Sequence, residues 1–291
     1  MAKKPTTTDD SRAGRLEGAE HAAEHPLVHV EGLHVRFGRQ HVLRNINLAV
    51  PRGQTLAIIG ESGCGKTVLL KTIIGLVTPT QGVVRFDGKD LNKLNERQLS
   101  RERTRFGFVF QQAALFDSMT ISQNVTFPLR QHTRKSHDEM REIMLGRLAE
   151  VGLPESVAVK KPAELSGGMR KRVGLARALA LSPEVVLYDE PTTGLDPIMS
   201  DVINELILRT RQRYPVTSIV VTHDMNTARK VADRVVMLYP LQRLREDEPQ
   251  MIFDGSPTQL DRCPDSRVTQ FIHGEAGERL MEMREKAGIS S

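Results

Sequence analysis

Cysteine is scarce in this chain of 291 residues, and long hydrophobic runs are absent. The two cysteines, Cys64 and Cys263, lie far apart and outside any CxxC or Cys/His spacing, which argues against a disulfide framework and a structural zinc site. The most apolar runs have the length of a β-strand, well short of the roughly 18 residues that a membrane-spanning helix needs. We therefore expect a chain that does not cross a bilayer by itself.

A secretory signal and a strong charge of one sign are also missing. Polar residues follow the first few residues, where a signal would have an apolar segment, so we expect a cytosolic protein. Lys and Arg number 41 against 36 Asp and Glu, a net charge of +5 that suits an acidic surface without requiring one. Nucleic-acid binding is therefore not expected. With 39% hydrophobic residues, the chain can bury the core of one large domain or two modest ones.

Composition divides the chain into three parts. Residues 1–26 lack periodic apolar positions, which predicts a flexible tail. Residues 27–245 alternate short β-rich runs with helical patterns, and residues 246–291 form a C-terminal extension that contains several prolines. Within the extension, apolar residues at helical spacing predict a docked helix: Ala276, Leu280, Met283 and Ala287.

Short β-rich runs predict strands at 28–37, 42–50, 55–59, 83–86, 106–110, 185–188, 218–222 and 235–238. Several of these runs are continuously apolar, which is typical of strands buried on both faces of a parallel sheet covered by helices. The first strands have polar residues interleaved and turn sequences between them, so we expect them to form an antiparallel patch.

Between about residues 91 and 165 the pattern becomes helical and polar. Ser136 and Glu139 form a capping box, and apolar residues then recur at i, i+3/i+4 spacing from Met140 to Val151. This pattern predicts a helix with one apolar face that ends near Gly152. We interpret the segment as an α-helical subdomain inserted into the core.

The sequence GESGCGKT at residues 60–67 matches the pattern GxxxxGK[ST] between a predicted strand and a helical run, which is the context that the pattern requires. In such a loop, backbone N–H groups surround the β-phosphate, Lys66 reaches the β- and γ-phosphates, and the Thr67 hydroxyl coordinates Mg²⁺. A plain glycine turn would not need Lys66 or Thr67. The predicted nucleotide contacts are Gly60, Glu61, Ser62, Gly63, Cys64, Gly65, Lys66, Thr67 and Val68.

These observations together predict an α/β fold: a P-loop NTPase core with a mostly parallel sheet, an N-terminal antiparallel β patch and an inserted α-helical subdomain. Within the loop, Cys64 fits as a small residue. A second interpretation is that the helix N-terminus lowers the pKa of the Cys64 thiol and makes it sensitive to oxidants.

Polar residues also stand at the ends of three other predicted strands. Asp189 and Glu190 follow the run 185–188, and we expect Asp189 to hold Mg²⁺ and Glu190 to polarise the water that attacks the γ-phosphate. Gln111 and His223 follow two further runs in the same way. Because ligands of parallel sheets sit at the carboxyl ends of the strands, these ends predict one phosphate-hydrolysis site.

The sequence LSGGM at residues 165–169 precedes a helical run whose first turn is basic. Arg170, Lys171 and Arg172 lie there, where cations oppose the helix dipole. Cations at this unfavourable position are explained if an anion binds there, and a second γ-phosphate would be such an anion. A solvated basic turn is the alternative.

The order and spacing of these motifs resemble the ATP-binding cassette (ABC) family over about residues 28–245. Residues 165–169 are similar to the family signature LSGGQ, with Met169 in the last place. Gln111 is similar to the glutamine of the Q-loop, and His223 to the switch histidine. The resemblance implies an ATPase with ATP and Mg²⁺ as its cofactors.

The same resemblance implies a homodimer that drives a membrane permease. The copies would lie head to tail, so that residues 166–168 of one complete the phosphate site of the other. The helical subdomain and Gln111 would contact the integral membrane permease. Phe37 resembles the aromatic residue that stacks on adenine, and Asp196 closes a segment similar to the D-loop. The implied site comprises catalytic Lys66, Gln111, Glu190 and His223, nucleotide-binding Phe37, Ser166, Gly167, Gly168 and Asp196, and metal-binding Thr67, Gln111 and Asp189.

A narrower resemblance is to the Mla/Mce-type cassettes, and it rests on Met169 and on residues 114–120, 127–130 and 264–271. Cassettes of this type energise phospholipid movement between bacterial membranes, together with a permease and an MCE-domain lipid-binding protein. The resemblance implies a role in outer-membrane lipid asymmetry and a peripheral position on the cytoplasmic face of the bacterial inner membrane. The alternatives are a cassette for another solute, a soluble cassette ATPase acting on DNA or ribosomes, and an ATP-dependent interaction protein without hydrolysis.

Overall fold

The computed structural model describes residues 25–276 of the chain. The tail predicted over residues 1–26 lies almost wholly outside these residues. Leu280, Met283 and Ala287 of the predicted C-terminal helix lie outside them as well. None of the helices within residues 25–276 combines the length and the apolar character that crossing a membrane requires.

The part of the chain that the structure describes contains ten strands, numbered in chain order: β1 (Val28–Phe37), β2 (Gln40–Val50), β3 (Thr55–Gly60), β4 (Gln81–Phe86), β5 (Lys89–Asp90), β6 (Phe106–Val109), β7 (Val185–Asp189), β8 (Thr217–Val221), β9 (Arg234–Leu238) and β10 (Met251–Gly255). All of the predicted strands are among them. Two were not predicted: β5 has only two residues, and β10 falls in the proline-containing region after residue 240.

Nine α-helices accompany the strands in the described range: α1 (Lys66–Ile73), α2 (Glu96–Arg103), α3 (Ile121–His132), α4 (His137–Glu150), α5 (Gly167–Leu179), α6 (Pro197–Arg213), α7 (Met225–Val231), α8 (Pro257–Leu260) and α9 (Ser266–His273). The predicted capping box begins α4, where Ser136 N–H donates to Glu139 Oε2 at 2.7 Å and Glu139 N–H donates to Ser136 Oγ at 3.2 Å.

Two sheets organise the molecule. The first is antiparallel, with strand order β2-β1-β4-β5. The second has the order β10-β9-β3-β8-β7-β6 and is parallel from β9 to β6, while β10 runs antiparallel to β9. The predicted fold class, an α/β core with an added antiparallel patch, is confirmed.

The parallel sheet separates two layers of core. Every residue of β3, β7 and β8 is buried, as their continuous apolar runs predict. Successive side chains of a strand point to opposite faces, so Val185 and Leu187 pack in the layer shared with the antiparallel sheet and α1. Val186 and Tyr188 pack in the other layer, among α4, α5 and α6. The sheet therefore holds its carboxyl edge between two rigid layers.

The segment 91–165 contributes to both layers. Leu91 and Leu99 pack in the layer of the antiparallel sheet, and β6 pairs in parallel with β7. Helices α3 and α4 follow β6 and pack in the opposite layer, together with α5. The domain boundaries predicted at residues 27, 91, 165 and 245 stay predictions.

Candidate functional site

Residues at the carboxyl ends of four parallel strands line a single cleft of about 320 Å³. The phosphate loop, residues 60–67, follows β3 and contributes Lys66 and Thr67. Gln111 comes from the loop after β6, Glu190 directly follows β7, and His223 lies just after β8. The structure therefore brings Gln111, Glu190 and His223, three of the strand-end residues that the sequence singled out, together beside the phosphate loop.

Glycines let the phosphate loop bend tightly against its neighbours. Gly60 and Gly65 have φ angles of +143° and +100°, which L side chains rarely adopt. A Cβ on Gly60 would lie 2.2 Å from the carbonyl oxygen of Leu238, and one on Gly65 would lie 2.7 Å from a methyl group of Leu43. Only glycine fits at these two positions of the loop.

Lys66 lies with its ammonium group over the phosphate loop. Its Nζ donates to the carbonyl oxygens of Gly60, at 2.7 Å, and Glu61, at 3.0 Å, and the residue is only 8% exposed. A charge so deeply buried is stable only where it is paired or hydrogen-bonded. The position suits an ammonium group that can exchange loop carbonyls for the phosphate oxygens of a nucleotide.

Thr67 and Asp189 form an oxygen pair beside the loop. The hydroxyl of Thr67 donates to Asp189 Oδ1 at 3.0 Å. Burial raises the pKa of the Asp189 carboxyl, and the hydrogen bond from Thr67 acts in the opposite direction. Within residues 25–276, no cluster of three or more His, Cys, Asp or Glu side chains could hold a metal alone. A hydroxyl and a carboxylate fit Mg²⁺, which takes few protein ligands and completes its shell with water and phosphates.

Glu190 has a strained backbone and a firmly held carboxylate. Its φ of +50° lies in the left-handed region, which few non-glycine residues adopt and which recurs at functional sites. His223 Nδ1 lies 2.8 Å from Glu190 Oε2, and the hydroxyl of Thr193 donates to the same oxygen at 3.2 Å. The side chain of Glu190 is nearly buried, whereas that of His223 is 60% exposed. Such an arrangement can orient a water molecule and accept its proton.

Several predicted site residues lie outside this cleft. Phe37, at the end of β1, is 52% exposed. Ser166 caps α5 by accepting a hydrogen bond from Met169 N–H, and Asp196 caps α6 by accepting one from Met199 N–H. Neither Ser166 nor Asp196 lines the cleft that holds Lys66 in the same chain.

Gly167 and Gly168 share the first turn of α5 but have different surroundings. Gly167 lines a neighbouring cleft together with Gln111 and Thr193. Gly168 is buried, and a Cβ there would lie 2.8 Å from the end of the Met199 side chain. The turn therefore presents Gly167 to a surface cleft and packs Gly168 against α6.

Each of the three cations in the basic turn of α5 donates a hydrogen bond to a carbonyl oxygen of the same chain. Arg170 donates to the carbonyl oxygen of Leu165 at 2.6 Å, and Lys171 donates to that of Pro191 at 2.8 Å. Arg172 likewise donates to the carbonyl oxygen of Gly152 at 2.9 Å. Burial lowers the pKa of Lys171. These cations connect segments of the same chain, and the anion predicted to bind at the turn stays a prediction.

The predicted low pKa of Cys64 is wrong. The residue is 1% exposed, and burial raises the pKa of its thiol above the ordinary value, ahead of the lowering influence of Lys66. A Cβ on Gly60 would lie 2.9 Å from Cys64 Sγ. Cys64 is therefore a small buried residue beneath the loop, which agrees with the other interpretation.

Two residues that the sequence did not single out contact the phosphate loop from outside. Arg243 Nη1 pairs with Glu61 Oε1 at 2.9 Å, and the side-chain amide of Gln250 donates to the carbonyl oxygen of Cys64 at 3.0 Å. Both lie about 180 residues further along the chain. No local pattern marks them, because only the tertiary structure brings them to the loop.

Comparison with known proteins agrees with this geometry. Residues 43–193 match the family model described as "ABC transporter". The intermembrane phospholipid transport system ATP-binding protein MlaF of Haemophilus influenzae is 41% identical over 250 residues, which cover 86% of this chain and 91% of that protein. The probable ribonucleotide transport ATP-binding protein mkl of Mycobacterium tuberculosis is 43% identical over 247 residues, which cover 85% of this chain and 66% of that protein.

A solved structure shares both the fold and part of the sequence. The dimeric post-hydrolysis state of the ATP-binding cassette MJ0796, bound to ADP and Pi, superposes with a TM-score of 0.70 at 34% identity. The match covers 79% of this chain and 98% of that one. The chain therefore belongs to the ABC transporter family, and it is an ATPase.

Proposed function

We propose that the chain is the ATP-hydrolysing subunit of a transporter that moves phospholipids between bacterial membranes and so maintains outer-membrane lipid asymmetry. The main support for a phospholipid cargo is the 41% identity to MlaF of Haemophilus influenzae, which extends over 86% of this chain. The methionine at position 169 and the segment 264–271, which resemble the Mla/Mce-type cassettes, support the same assignment.

Phosphate binding is assigned to the loop that holds Lys66. In the proposed complex, the ammonium group of Lys66 exchanges the carbonyls of Gly60 and Glu61 for β- and γ-phosphate oxygens. Thr67 and Asp189 would hold Mg²⁺, which when bound neutralises charge on those oxygens. The roles of Lys66 and Thr67 rest on the cleft that both line, and the role of Asp189 rests on the hydrogen bond that it accepts from Thr67.

Water activation is assigned to Glu190. The donors around its carboxylate, from His223 and Thr193, bind Oε2. We therefore assign the attacking water to the other oxygen, Oε1, where the carboxylate can polarise it. The strained backbone and the fixed carboxylate preorganise the group, so little reorganisation accompanies the reaction. Gln111, from the loop after β6, would complete the Mg²⁺ and water shell.

The position of the signature segment supports a homodimer. Ser166 lies outside the cleft that holds Lys66, so a second copy would have to supply it to the phosphates. The MJ0796 cassette is dimeric in its solved structures. In our proposal two copies bind ATP between them, with Phe37 stacking on adenine and Asp196 near the shared boundary.

The proposed permease site is an apolar groove between β6 and α3. The groove has a volume of about 430 Å³, and Phe108, Phe116 and Phe127 are among its lining residues. An aromatic groove of this kind at the boundary of two packed layers suits an inserted segment of another protein. We propose that an integral membrane permease docks there, that an MCE-domain lipid-binding protein completes the complex, and that the subunit lies peripherally on the cytoplasmic face of the inner membrane.

Co-purification from membranes tests the proposed complex. Tagged protein isolated from mild detergent should retain a permease and an MCE-domain protein, identified by mass spectrometry. Phe116→Asp, in the groove, should lose both partners while ATP binding stays unchanged, and Leu76→Asp, at an exposed apolar residue outside the groove, should keep them. Retention of a permease without an MCE-domain protein would contradict the assigned cargo.

Ribonucleotide transport is the second candidate, because the mkl protein of Mycobacterium tuberculosis carries that description and is 43% identical to this chain. The purified complex in proteoliposomes distinguishes the two. ATP-dependent transfer of fluorescent phospholipid to acceptor vesicles would support the first candidate. ATP-dependent movement of a labelled ribonucleotide, without lipid transfer, would support the second.

A further inference from the structure

Gln250 is a buried amide with three backbone partners on two separate elements. It is 1% exposed and lies directly before β10. Its Oε1 accepts from Arg44 N–H at 2.8 Å, and its Nε2 donates to the carbonyl oxygens of Val42 and Cys64, each at 3.0 Å. Val42 and Arg44 lie on the outer edge of β2, the edge strand of the antiparallel sheet. The amide therefore bridges this sheet edge and the phosphate loop.

The three partners require an amide at this position. One acceptor faces the N–H of Arg44, and two N–H donors face two carbonyl oxygens. Among uncharged side chains, only Asn and Gln offer this combination in one planar group, and the partners also fix which end is oxygen. Without the side chain of Gln250, one buried and two partly buried hydrogen bonds to the backbone would be lost.

The hydrogen bond from Gln250 also fixes a peptide group of the phosphate loop. The peptide between Cys64 and Gly65 is trans, so the N–H of Gly65 points opposite to the carbonyl of Cys64. That carbonyl faces the buried amide, whereas Gly65 lines the cleft beside Lys66. The N–H of Gly65 is thereby directed into the space where a loop of this type surrounds the β-phosphate.

The segment that carries Gln250 is itself fastened. Residues 239–250, which join β9 to β10, are held by the guanidinium of Arg44, which donates to the carbonyls of Arg245, at 2.7 Å, and Glu248, at 2.8 Å. Within the same segment, Arg243 pairs with the carboxylate of Glu61. These contacts therefore fix the position of the segment that carries the Gln250 amide.

We propose that Gln250 is a positioning residue for nucleotide binding, which orients the N–H of Gly65 toward the β-phosphate through the carbonyl of Cys64. It does not touch the nucleotide. Its effect is on the affinity for nucleotides that have a β-phosphate, because the N–H that it orients meets that group. Hydrolysis, which is assigned to Glu190, starts from the nucleotide-bound state and therefore depends on Gln250 only through binding.

Nucleotide titration of the full-length protein tests the proposal. In Gln250→Met, which keeps the side-chain length but removes the amide, the dissociation constants of ADP and of ATP in EDTA should rise about tenfold, measured at 15 °C. The affinity for AMP, which lacks the β-phosphate, should change less than twofold. At saturating ATP the kcat should fall less than threefold while the KM rises. An equal loss for AMP and ADP, or unchanged ADP binding, would overturn the proposal.

A conservative variant and a matched control separate positioning from stability. In Gln250→Glu, a protonated carboxyl can still donate one hydrogen bond, and burial raises the pKa of such a group. The ratio of its ADP dissociation constant to that of the wild type should therefore fall between pH 8 and pH 6, and a constant ratio would count against the proposal. Tyr214→Phe removes a partly buried hydroxyl that donates to Glu150, far from the loop. It should lower the melting temperature without changing the ADP affinity.

Discussion

Glu190 is constrained separately at its backbone and at its carboxylate. Its N–H donates to the carbonyl of Val221 at 2.9 Å, and this bond to β8 holds the residue at a φ of +50°. His223 and Thr193 then hold the carboxylate. A backbone conformation of this kind persists only where its surroundings enforce it. At the residue scale, the site therefore depends on how neighbouring strands fix one carboxylate.

Replacement of that carboxylate by an amide tests its role. In Glu190→Gln, phosphate release should fall by a factor of about 10² to 10⁴, the usual contribution of a general base. ATP binding should persist, and the ATP-bound dimer should accumulate in size-exclusion chromatography with light scattering. Glu205→Gln, which alters an exposed carboxylate paired with Lys230, should hydrolyse ATP like the wild type. Normal hydrolysis by Glu190→Gln would disprove the assignment.

The two cysteines should differ in reactivity. Cys64 is buried with a raised pKa, whereas Cys263 is partly exposed. Because the thiolate is the reactive form, iodoacetamide at pH 7.5 should label Cys263 first and Cys64 only after denaturation. Peptide mass spectrometry reads both sites in one sample, so Cys263 serves as the internal control. Faster labelling of Cys64 in the native protein would contradict the burial of its thiol.

At the scale of elements, α5 lies directly against β6 because Gly107 has no side chain. A Cβ on Gly107 would lie 2.7 Å from the carbonyl oxygen of Ala178 in α5 and 3.1 Å from the ring of Pro183. Helix α5 begins with the signature segment, and β6 leads to Gln111. The close approach of these elements therefore sets the distance between two predicted parts of the nucleotide site.

A pair of glycine substitutions tests this packing. Gly107→Ala should lower the free energy of unfolding by about 1–3 kcal/mol, because the added methyl group overpacks the contact. Gly146→Ala, in the exposed middle of α4 with open space around it, should raise it by about 0.5–1 kcal/mol, because alanine favours the helix. Urea unfolding of both variants measures the two changes. Equal effects would show that α5 can move away from β6 without loss.

At the scale of the whole molecule, an ion-pair network around Arg105 joins the two sheets. Arg105 contacts Glu184, just before β7, at 2.6 Å and Asp87, between β4 and β5, at 2.6 Å. It also reaches Glu102 at the end of α2 at 2.9 Å. Hydrogen bonds from Arg105 hold the pKa of Glu184 below its ordinary value of 4.5. Because the folded state favours the charged carboxylate, the pair stabilises the protein above that pH and loses its effect as the pH falls through the lowered pKa.

Acid unfolding tests the network. Arg105→Met should lower the free energy of unfolding at pH 7 by about 1–2 kcal/mol, a modest value because Asp87 and Glu184 are partly exposed to solvent. The difference from the wild type should shrink as the pH falls below 4.5, where the carboxylates begin to be protonated. Arg141→Met, which removes a more exposed pair with Glu155, should change stability by less than about 0.5 kcal/mol. A difference that grew at low pH would contradict the assigned sign.

Local patterns in the sequence are enough to predict much of the fold. The apolar runs predicted the strands because burial on both faces of a sheet demands continuous apolar residues. The two-residue β5 and the edge strand β10 have no such pattern, since an edge strand with one exposed side can be short and mixed in composition. The capping box of α4 was predicted because both of its partners lie within four residues.

Spacing along the chain is enough to predict the phosphate loop and the polar strand ends, because each consists of neighbouring residues whose spacing follows from the chemistry of phosphate. The surroundings of Cys64 and the hydrogen-bond partners of the basic turn of α5 depend on how the whole chain folds. Burial raised the pKa of the Cys64 thiol, and distant carbonyls bind the cations of the turn. The contact of Gln250 with the phosphate loop, about 180 residues away in sequence, likewise exists only in the folded protein. Burial and hydrogen bonding depend on atoms that folding brings together, and no local pattern records which atoms those are.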